Sequence, residues 1–177
     1  DVPLSDITSV GTSEDSATVM SGLAENDILI YALAVSSGDI GASDSGLISA
    51  GWTHLLGSIY SDMIFLRVYY KKVTSSVDTS FPRYTSGFGK QIIMAFRSVE
   101  PDTIFDVTST TSAGNYATYP DPPSITTAND NSIVIAVGGT RSVDITGGPS
   151  GYSNYTKQKA GSYSATAIAW QKITSAG

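Results

Sequence analysis

The chain has 177 residues, no cysteine and a net charge of -6, with 41% apolar and 15% charged residues. This is the composition of a folded domain, and the lack of cysteine excludes disulfides and thiolate metal sites. The acidic balance, with no basic cluster, argues against nucleic-acid binding. No stretch reaches the roughly 20 apolar residues of a membrane helix. We therefore expect one globular domain over residues 1–177, with neither a nucleic-acid nor a membrane partner.

Short apolar runs bounded by Gly, Ser, Asn, Asp and Pro recur along the whole chain. Such runs are typical of strands and turns, and helical periodicity is missing. The pattern predicts an all-β, antiparallel protein with helix below about a tenth of its residues. Strands are expected at 17–20, 27–36, 52–60, 62–73, 88–97, 103–108, 123–127, 132–138, 152–158 and 163–174.

Two of these strands carry apolar residues on both faces. In 27–36, Ile28 and Ile30 alternate with Leu29 and Tyr31, and in 132–138 the run from Ile133 to Val137 has no polar interruption. A strand of this kind belongs in the middle of a sheet, or its second face is covered by a partner chain. The central position is the simpler of the two hypotheses.

The chain repeats weakly at an offset of one hundred residues. Gly51-Trp52-Thr53 aligns with Gly151-Tyr152-Ser153, and the six residues from Tyr70 align with those from Trp170. Upstream, 26–30 resembles 131–135. The pattern predicts two pseudo-repeats, approximately 17–99 and 123–177, in an antiparallel two-sheet, jelly-roll-like sandwich. The second repeat has no counterpart of strand 88–97, so we expect either a missing final strand or one supplied by another chain or an N-terminal segment.

The shared alternation also predicts which side chains form the core. They are Ile28, Ile30, Trp52, Ile64, Leu66, Val68, Tyr70, Ile133, Ile135, Ile168 and Trp170.

Residues that could carry chemistry are few. His54 is the single histidine, and its alternation with Trp52 and Leu56 favours packing or hydrogen bonding over a role in a serine triad. The three glutamates, Glu14, Glu25 and Glu100, fall in predicted turns, which does not suit the paired carboxylates of a glycosidase. We therefore predict no enzyme, no catalytic residue and no cofactor.

Calcium is the one metal that the acidic turns could suit, because it takes several oxygen ligands. The candidates are the loop 39–44, with Asp39 and Asp44, and the turn from Asp121 to Asp130. Neither has EF-hand spacing, and solvated turns are the favoured interpretation, so no metal site is predicted.

Loop tyrosines are the candidate interface residues: Tyr116, Tyr119, Tyr152 and Tyr155. A tyrosine offers a flat apolar face and a polar tip, which suits both protein interfaces and sugar stacking. The alternative is packing over the ends of the sandwich.

Several segments in the same order carry a resemblance to a known family. They are Gly22–Ile30, Ser49–Thr53, Leu66–Val73, Ala95–Val99, Pro123–Thr127, Asn131–Val137, Pro149–Tyr152 and Ala169–Lys172. Together they resemble the jelly-roll-like β-sandwich domains of tailed-bacteriophage virion proteins, which include capsid decoration and fibre domains.

The resemblance implies a non-enzymatic structural protein at the virion surface. In one version it is a capsid decoration or stabilising protein, a homo-oligomer such as a trimer, in contact with another virion protein such as the major capsid protein. In the other it is a tail-fibre or head-fibre adhesin domain that binds host-surface glycans. A hydrolase of surface polysaccharide is a third, weaker alternative.

Overall fold

A computed structural model describes residues 8–14, 22–36, 41–61, 64–74, 89–97, 104–111 and 123–177. The described elements are eight strands and one short helix, which confirms the all-β fold. In chain order they are β1 (Thr8–Glu14), β2 (Ile28–Ser36), α1 (Gly41–Ser49), β3 (Thr53–Ser61), β4 (Ile64–Lys72), β5 (Gly89–Arg97), β6 (Ser132–Arg141), β7 (Ser153–Ala160) and β8 (Ser164–Ile173).

The described strands form two antiparallel sheets that pack face to face. Sheet A has the order β1-β5-β2-β4-β3, and sheet B has the order β6-β8-β7. β6 lies over β2 and β4, while β8 lies over β2 and β5. The core between the sheets is formed by alternate apolar side chains of both: Ile28, Ile30, Ala32, Val68, Ile92, Met94, Phe96, Ile168 and Trp170.

The same strand pairing occurs in both sheets at an offset of one hundred residues. Thr53 of β3 lies opposite Tyr70 of β4, and Ser153 of β7 lies opposite Trp170 of β8. In both pairs the register then shifts, so that 56 faces 68 and 156 faces 168. The strand orders β2-β4-β3 and β6-β8-β7 are therefore equivalent.

The third strand of each set pairs in the same way, but at an offset of 105 residues. Ile30 of β2 faces Tyr70, and Ile135 of β6 faces Trp170. The turns before β3 and β7 also match, because Gly51 and Gly151 have φ angles of 83° and 85°. Glycine is the residue that adopts such angles without strain, which explains why both copies carry Gly at this position.

The outer face of sheet A is covered by the chain itself. Its apolar side chains, Leu29, Tyr31, Leu33 and Val35 of β2 among them, pack with Leu47 of α1 and with Trp52. These contacts cover the second apolar face of β2 without a partner chain. β2 also lies centrally in the sheet, between β4 and β5.

Trp52 is buried as predicted, but it was assigned to the wrong face. It belongs to the outer cluster, whereas Val68 belongs to the core between the sheets. The prediction assumed unbroken alternation through Trp52, His54 and Leu56. The register shift between His54 and Leu56 reverses that alternation, as a β-bulge does.

In sheet B the corresponding cover is the segment 142–149. Ile145 is buried against Ala165 and Ala167 of β8, with Tyr155 packed beside them. The connection after the first strand thus covers the outer face in both halves. A helix lies over bulky side chains in sheet A, and an extended segment lies over alanines in sheet B.

Among the described strands β6 lies at an edge of sheet B, although its composition favoured a central position. Among the described strands it pairs with β8 alone. Its inward side chains Ile133, Ile135 and Val137 contact the core, but they are half-buried rather than buried. Tyr70, also predicted to be buried, is half-buried as well.

Polar contacts also join the two sheets at one end. The hydroxyl of Thr166 in β8 accepts the backbone N–H of Ala34 at 3.0 Å and donates to the carbonyl of Lys90 at 2.5 Å. Thr166 is fully buried. Because a buried hydroxyl must be hydrogen-bonded to avoid a penalty, this contact favours one alignment of the sheets.

Two predicted strands do not form. Residues 104–108 and 123–127 are irregular, and Asp106 accepts hydrogen bonds from the backbone of Ala128 and Asn129. These side chain–backbone bonds replace a ladder. The predicted strand 17–20 lies outside the described residues.

Two elements were not predicted. β1 pairs antiparallel with β5, and Glu14, which was expected in a turn, is its last residue. Residues 41–44, expected in an acidic loop, belong to α1. Gly and Ser disfavour helix, and burial of Leu47 against sheet A supplies the stabilisation instead.

Candidate functional site

The four tyrosines proposed as interface residues do not form one described surface. Tyr116 and Tyr119 lie outside the described residues. Tyr155 is half-buried, and its hydroxyl donates to the carbonyl of Ile145 at 2.7 Å. Burial raises the pKa of Tyr155. This side chain therefore holds the segment 142–149 onto sheet B, and only its remaining surface is open to a partner.

Tyr152 occupies the position that Trp52 has in the first half. It is half-buried, and its backbone N–H donates to the carbonyl of Pro149 at 3.2 Å. Burial raises the pKa of Tyr152, opposed by a hydrogen bond with Gln171. Like Tyr155, it combines packing with limited exposure.

The most exposed aromatic side chains of the described residues are different ones. Tyr163 is 49% exposed in the turn between β7 and β8, and Phe105 is 44% exposed. Phe105 packs edge-on against Tyr70, with ring centroids 4.8 Å apart. Tyr163 and Phe105 lie at opposite ends of the sandwich. Tyr163 directly precedes β8, whereas Tyr70, which Phe105 contacts, is near the end of β4. Phe105 lies within the predicted strand 103–108 and was therefore not among the candidate interface residues.

His54 is exposed on the outer side of sheet A. Its ring lies 4.9 Å from that of Tyr69, tilted by 38°. The contact is an aromatic stack at the surface, and it orients the imidazole without providing a nucleophile or a carboxylate partner in what is described.

The acidic residues of the described turns bind backbone groups. Asp106 holds the 128–129 turn, and Asp130 accepts the N–H of Ala176 at 2.7 Å. Within the described ranges no three His, Asp or Glu side chains come together to hold a metal ion. Asp39 and Asp121 lie outside those ranges.

Partial burial raises the pKa of Asp106, but hydrogen bonds from Asn129, Ala128 and Ser132 outweigh it, so the pKa is lowered overall. Asp144 likewise has a lowered pKa, chiefly because Lys157 donates to it at 2.8 Å. Lys157 also donates to the carbonyl of Ile145. Both carboxylates thus stabilise loops that border sheet B.

A shallow groove lies where the segment 142–149 meets sheet B. Its walls are apolar side chains and backbone, with Ala136 and Gly138 of β6 on one side and Pro149 and Tyr155 on the other. No charged side chain lines it. The groove is a packing seam, and its chemistry suits apolar contact.

Comparisons with known proteins find no match: none among protein-family models, none among curated proteins and none among solved structures. Of the helices in the described ranges, none has the length and apolar character needed to cross a membrane.

Proposed function

We propose that the chain is a non-enzymatic structural protein of a tailed-bacteriophage virion, serving as a decoration or stabilising protein on the capsid surface. The proposal is supported by the structural roles of residues in the segments that carry the family resemblance. Asp27 pairs with Arg97, and Gly51 and Gly151 form matching turns. Trp170 packs in the core. Because these residues have structural roles, the resemblance that they carry is one of architecture. A resemblance of that kind suits a structural protein.

The covered outer faces support a role through edges and ends of the sandwich. α1 and Trp52 cover sheet A, and the segment 142–149 covers sheet B. A homo-oligomer, such as a trimer, therefore has no need of the second apolar face of β2. Its contacts, and those with a shell protein, would use strand edges and loops.

The oligomeric state gives one test. Native mass spectrometry and light scattering at micromolar concentration should report a mass of three chains. A monomer at high concentration would contradict the trimer and favour a fibre-borne module.

A fibre adhesin that binds host-surface glycans is the second candidate. The exposed aromatic rings of Tyr163 and Phe105 favour it, because sugars stack on such faces. Binding to a glycan array that is lost in Tyr163→Ala or Phe105→Ala, and retained in the exposed control Ser162→Ala, would support this function. An array without signal would argue against it.

The decisive experiment is localisation on the particle. Antibodies raised against the purified chain are applied to virions from the source phage, and gold labels are counted by electron microscopy. Label over the shell supports decoration, and label on a tail or head fibre supports adhesion. Virions that carry no label, although the antibody detects the chain in the lysate, would overturn both.

A further inference from the structure

The edge of β6 differs from the other sheet edges in the described chain. β1, β3, β6 and β7 are the edge strands, and the ladders of β1, β3 and β7 each contain a register shift. β6 pairs with β8 through ten successive residues without one. It has no proline and no charge before Arg141. Bulges, charges and prolines are how proteins protect edges, so β6 lacks a protection that the other three have.

The first half of the chain shows what occupies the equivalent edge. β2 is the counterpart of β6, and β5 pairs with β2 on the side away from β4, with Met94 opposite Ile30. No described strand lies beside β6 in that position. Ile30 is 3% exposed, whereas its counterpart Ile135 is only half-buried.

The two halves share one aromatic contact across the core, although no described strand in the second half corresponds to β5. Phe96 of β5 packs edge-on against Trp170, with centroids 5.6 Å apart at 89°. Phe105 packs edge-on against Tyr70, the counterpart of Trp170, at 4.8 Å and 81°. Phe105 belongs to no strand. The second half therefore has the aromatic contact, between Phe105 and Tyr70, that corresponds to the contact between Phe96 and Trp170. It has no described strand that pairs with the edge of β6 opposite β8.

The layering limits what can add to this edge. β6 lies over β2 and β4, and sheet A continues beyond them with β3. Two copies joined antiparallel through β6 would be related by a two-fold axis normal to the sheets. That axis would bring β3 and β4 of both copies into the same space. A single extended segment has no second layer and avoids this clash.

We propose that the edge of β6 that no described strand occupies is a strand-accepting site for an extended segment of another polypeptide chain. The segment runs antiparallel to β6, as β5 runs to β2, and carries apolar side chains at every second position to cover Ile133, Ile135 and Val137. Main-chain hydrogen bonds supply affinity and the alternate side chains supply specificity, as in other strand additions. The site follows from the fold and does not depend on the proposed function.

The probe is a labelled peptide with the sequence of β5, Gly89–Arg97, titrated against the full chain by fluorescence anisotropy. We expect saturable binding, and loss of binding when Ile92, Met94 and Phe96 of the peptide are replaced by Ser. In the protein, Val134→Lys places a charge on the half-exposed outer side of β6 and should weaken binding by roughly tenfold or more. The matched control Ser162→Lys adds the same charge in the β7–β8 turn and should bind as the wild type does.

Hydrogen exchange on the wild-type protein tests the same site without a variant. The peptide should slow exchange of β6 amides and leave those of β1, β3 and β7 unchanged. Absence of peptide binding, or equal binding by a folded Val134→Lys protein, would overturn the proposal. Protection of the outward β6 amides in the free monomer would also overturn it, because a segment of the same chain would then fill the edge.

Discussion

Arg97, the last residue of β5, forms a bidentate ion pair with Asp27, the residue before β2, through two hydrogen bonds. Nε donates to Oδ1 at 2.9 Å and Nη2 donates to Oδ2 at 2.8 Å. The carboxylate is 1% exposed and also accepts the N–H of Ala24. The hydrogen bond with Asp27 raises the pKa of Arg97. The counterpart of Asp27 is Ser132, which bonds to Asn129 instead. The ion pair thus occurs in the half that has a β5.

Replacing Arg97 should expose how far this pair stabilises the fold. Arg97→Met leaves a buried carboxylate without its cation, and we expect a loss of about 2–4 kcal/mol in unfolding free energy, reduced from the fully buried case because the arginine is partly exposed. Arg97→Lys should lose less, since it restores the charge but not the bidentate geometry. Urea denaturation measures both. Equal midpoints for wild type and Arg97→Met would contradict the assignment.

Gly139 of β6 lies close against Ala34 of β2 in the other sheet. A Cβ at this position would lie 2.8 Å from the Cβ of Ala34. We expect Gly139→Ala to destabilise the protein by about 1–3 kcal/mol through overpacking, and Ala34→Gly to relieve part of that loss in the double variant. Thermal unfolding of the four proteins measures the coupling.

The matched control for Gly139 is Gly46, in α1, where an added Cβ meets nothing within 4 Å. Gly46→Ala should raise stability by about 0.4–1 kcal/mol, because alanine loses less backbone entropy than glycine in a helix. If Gly139→Ala also raised the stability, the close contact between Gly139 and Ala34 would be contradicted.

Trp170 of β8 is buried in the core between the two sheets, whereas Trp52 is buried in the cluster on the outer face of sheet A. We expect Trp170→Ala to cost about 3–5 kcal/mol. Its effect should couple with Phe96→Ala by about 0.5–1.5 kcal/mol, because the two rings are in contact, and should add independently to Trp52→Ala. A double-mutant cycle by chemical denaturation measures both relations. Coupling to Trp52 in place of Phe96 would place Trp170 in the outer cluster.

Acid should weaken the loops beside sheet B. The lowered pKa of Asp106 means that the folded state binds its proton less readily than the unfolded state, where the ordinary value is 3.8. Its contribution is therefore present above that value and is lost as the pH falls through the folded pKa. Denaturation midpoints from pH 7 downwards should fall less steeply in Asp106→Asn than in the wild type. An identical slope in both proteins would rule out this contribution.

The alternation of apolar residues sufficed to predict seven of the strands. β2 to β8 lie within two residues of the expected ranges at nearly every end, since period-two burial is a local property of each strand. Ile28, Val68 and Ile168 were likewise assigned to the core correctly. The candidate site was less predictable, because exposure of a loop tyrosine depends on what packs against it. Tyr155 is tied to Ile145, and Phe105 remains exposed.

By itself, the sequence determined the strands, the paired glycine turns and the matching alternation of the two halves, because each depends on neighbouring residues. Only the tertiary structure decided the face of Trp52, the formation of α1 and the position of β6 at an edge among the described strands. A register shift reverses the direction of the side chains that follow it. A helix of low propensity forms when Leu47 is buried. A strand lies at the centre or at the edge of a sheet according to the strands that pair with it. Those three outcomes depend on contacts between distant segments, which local periodicity does not encode.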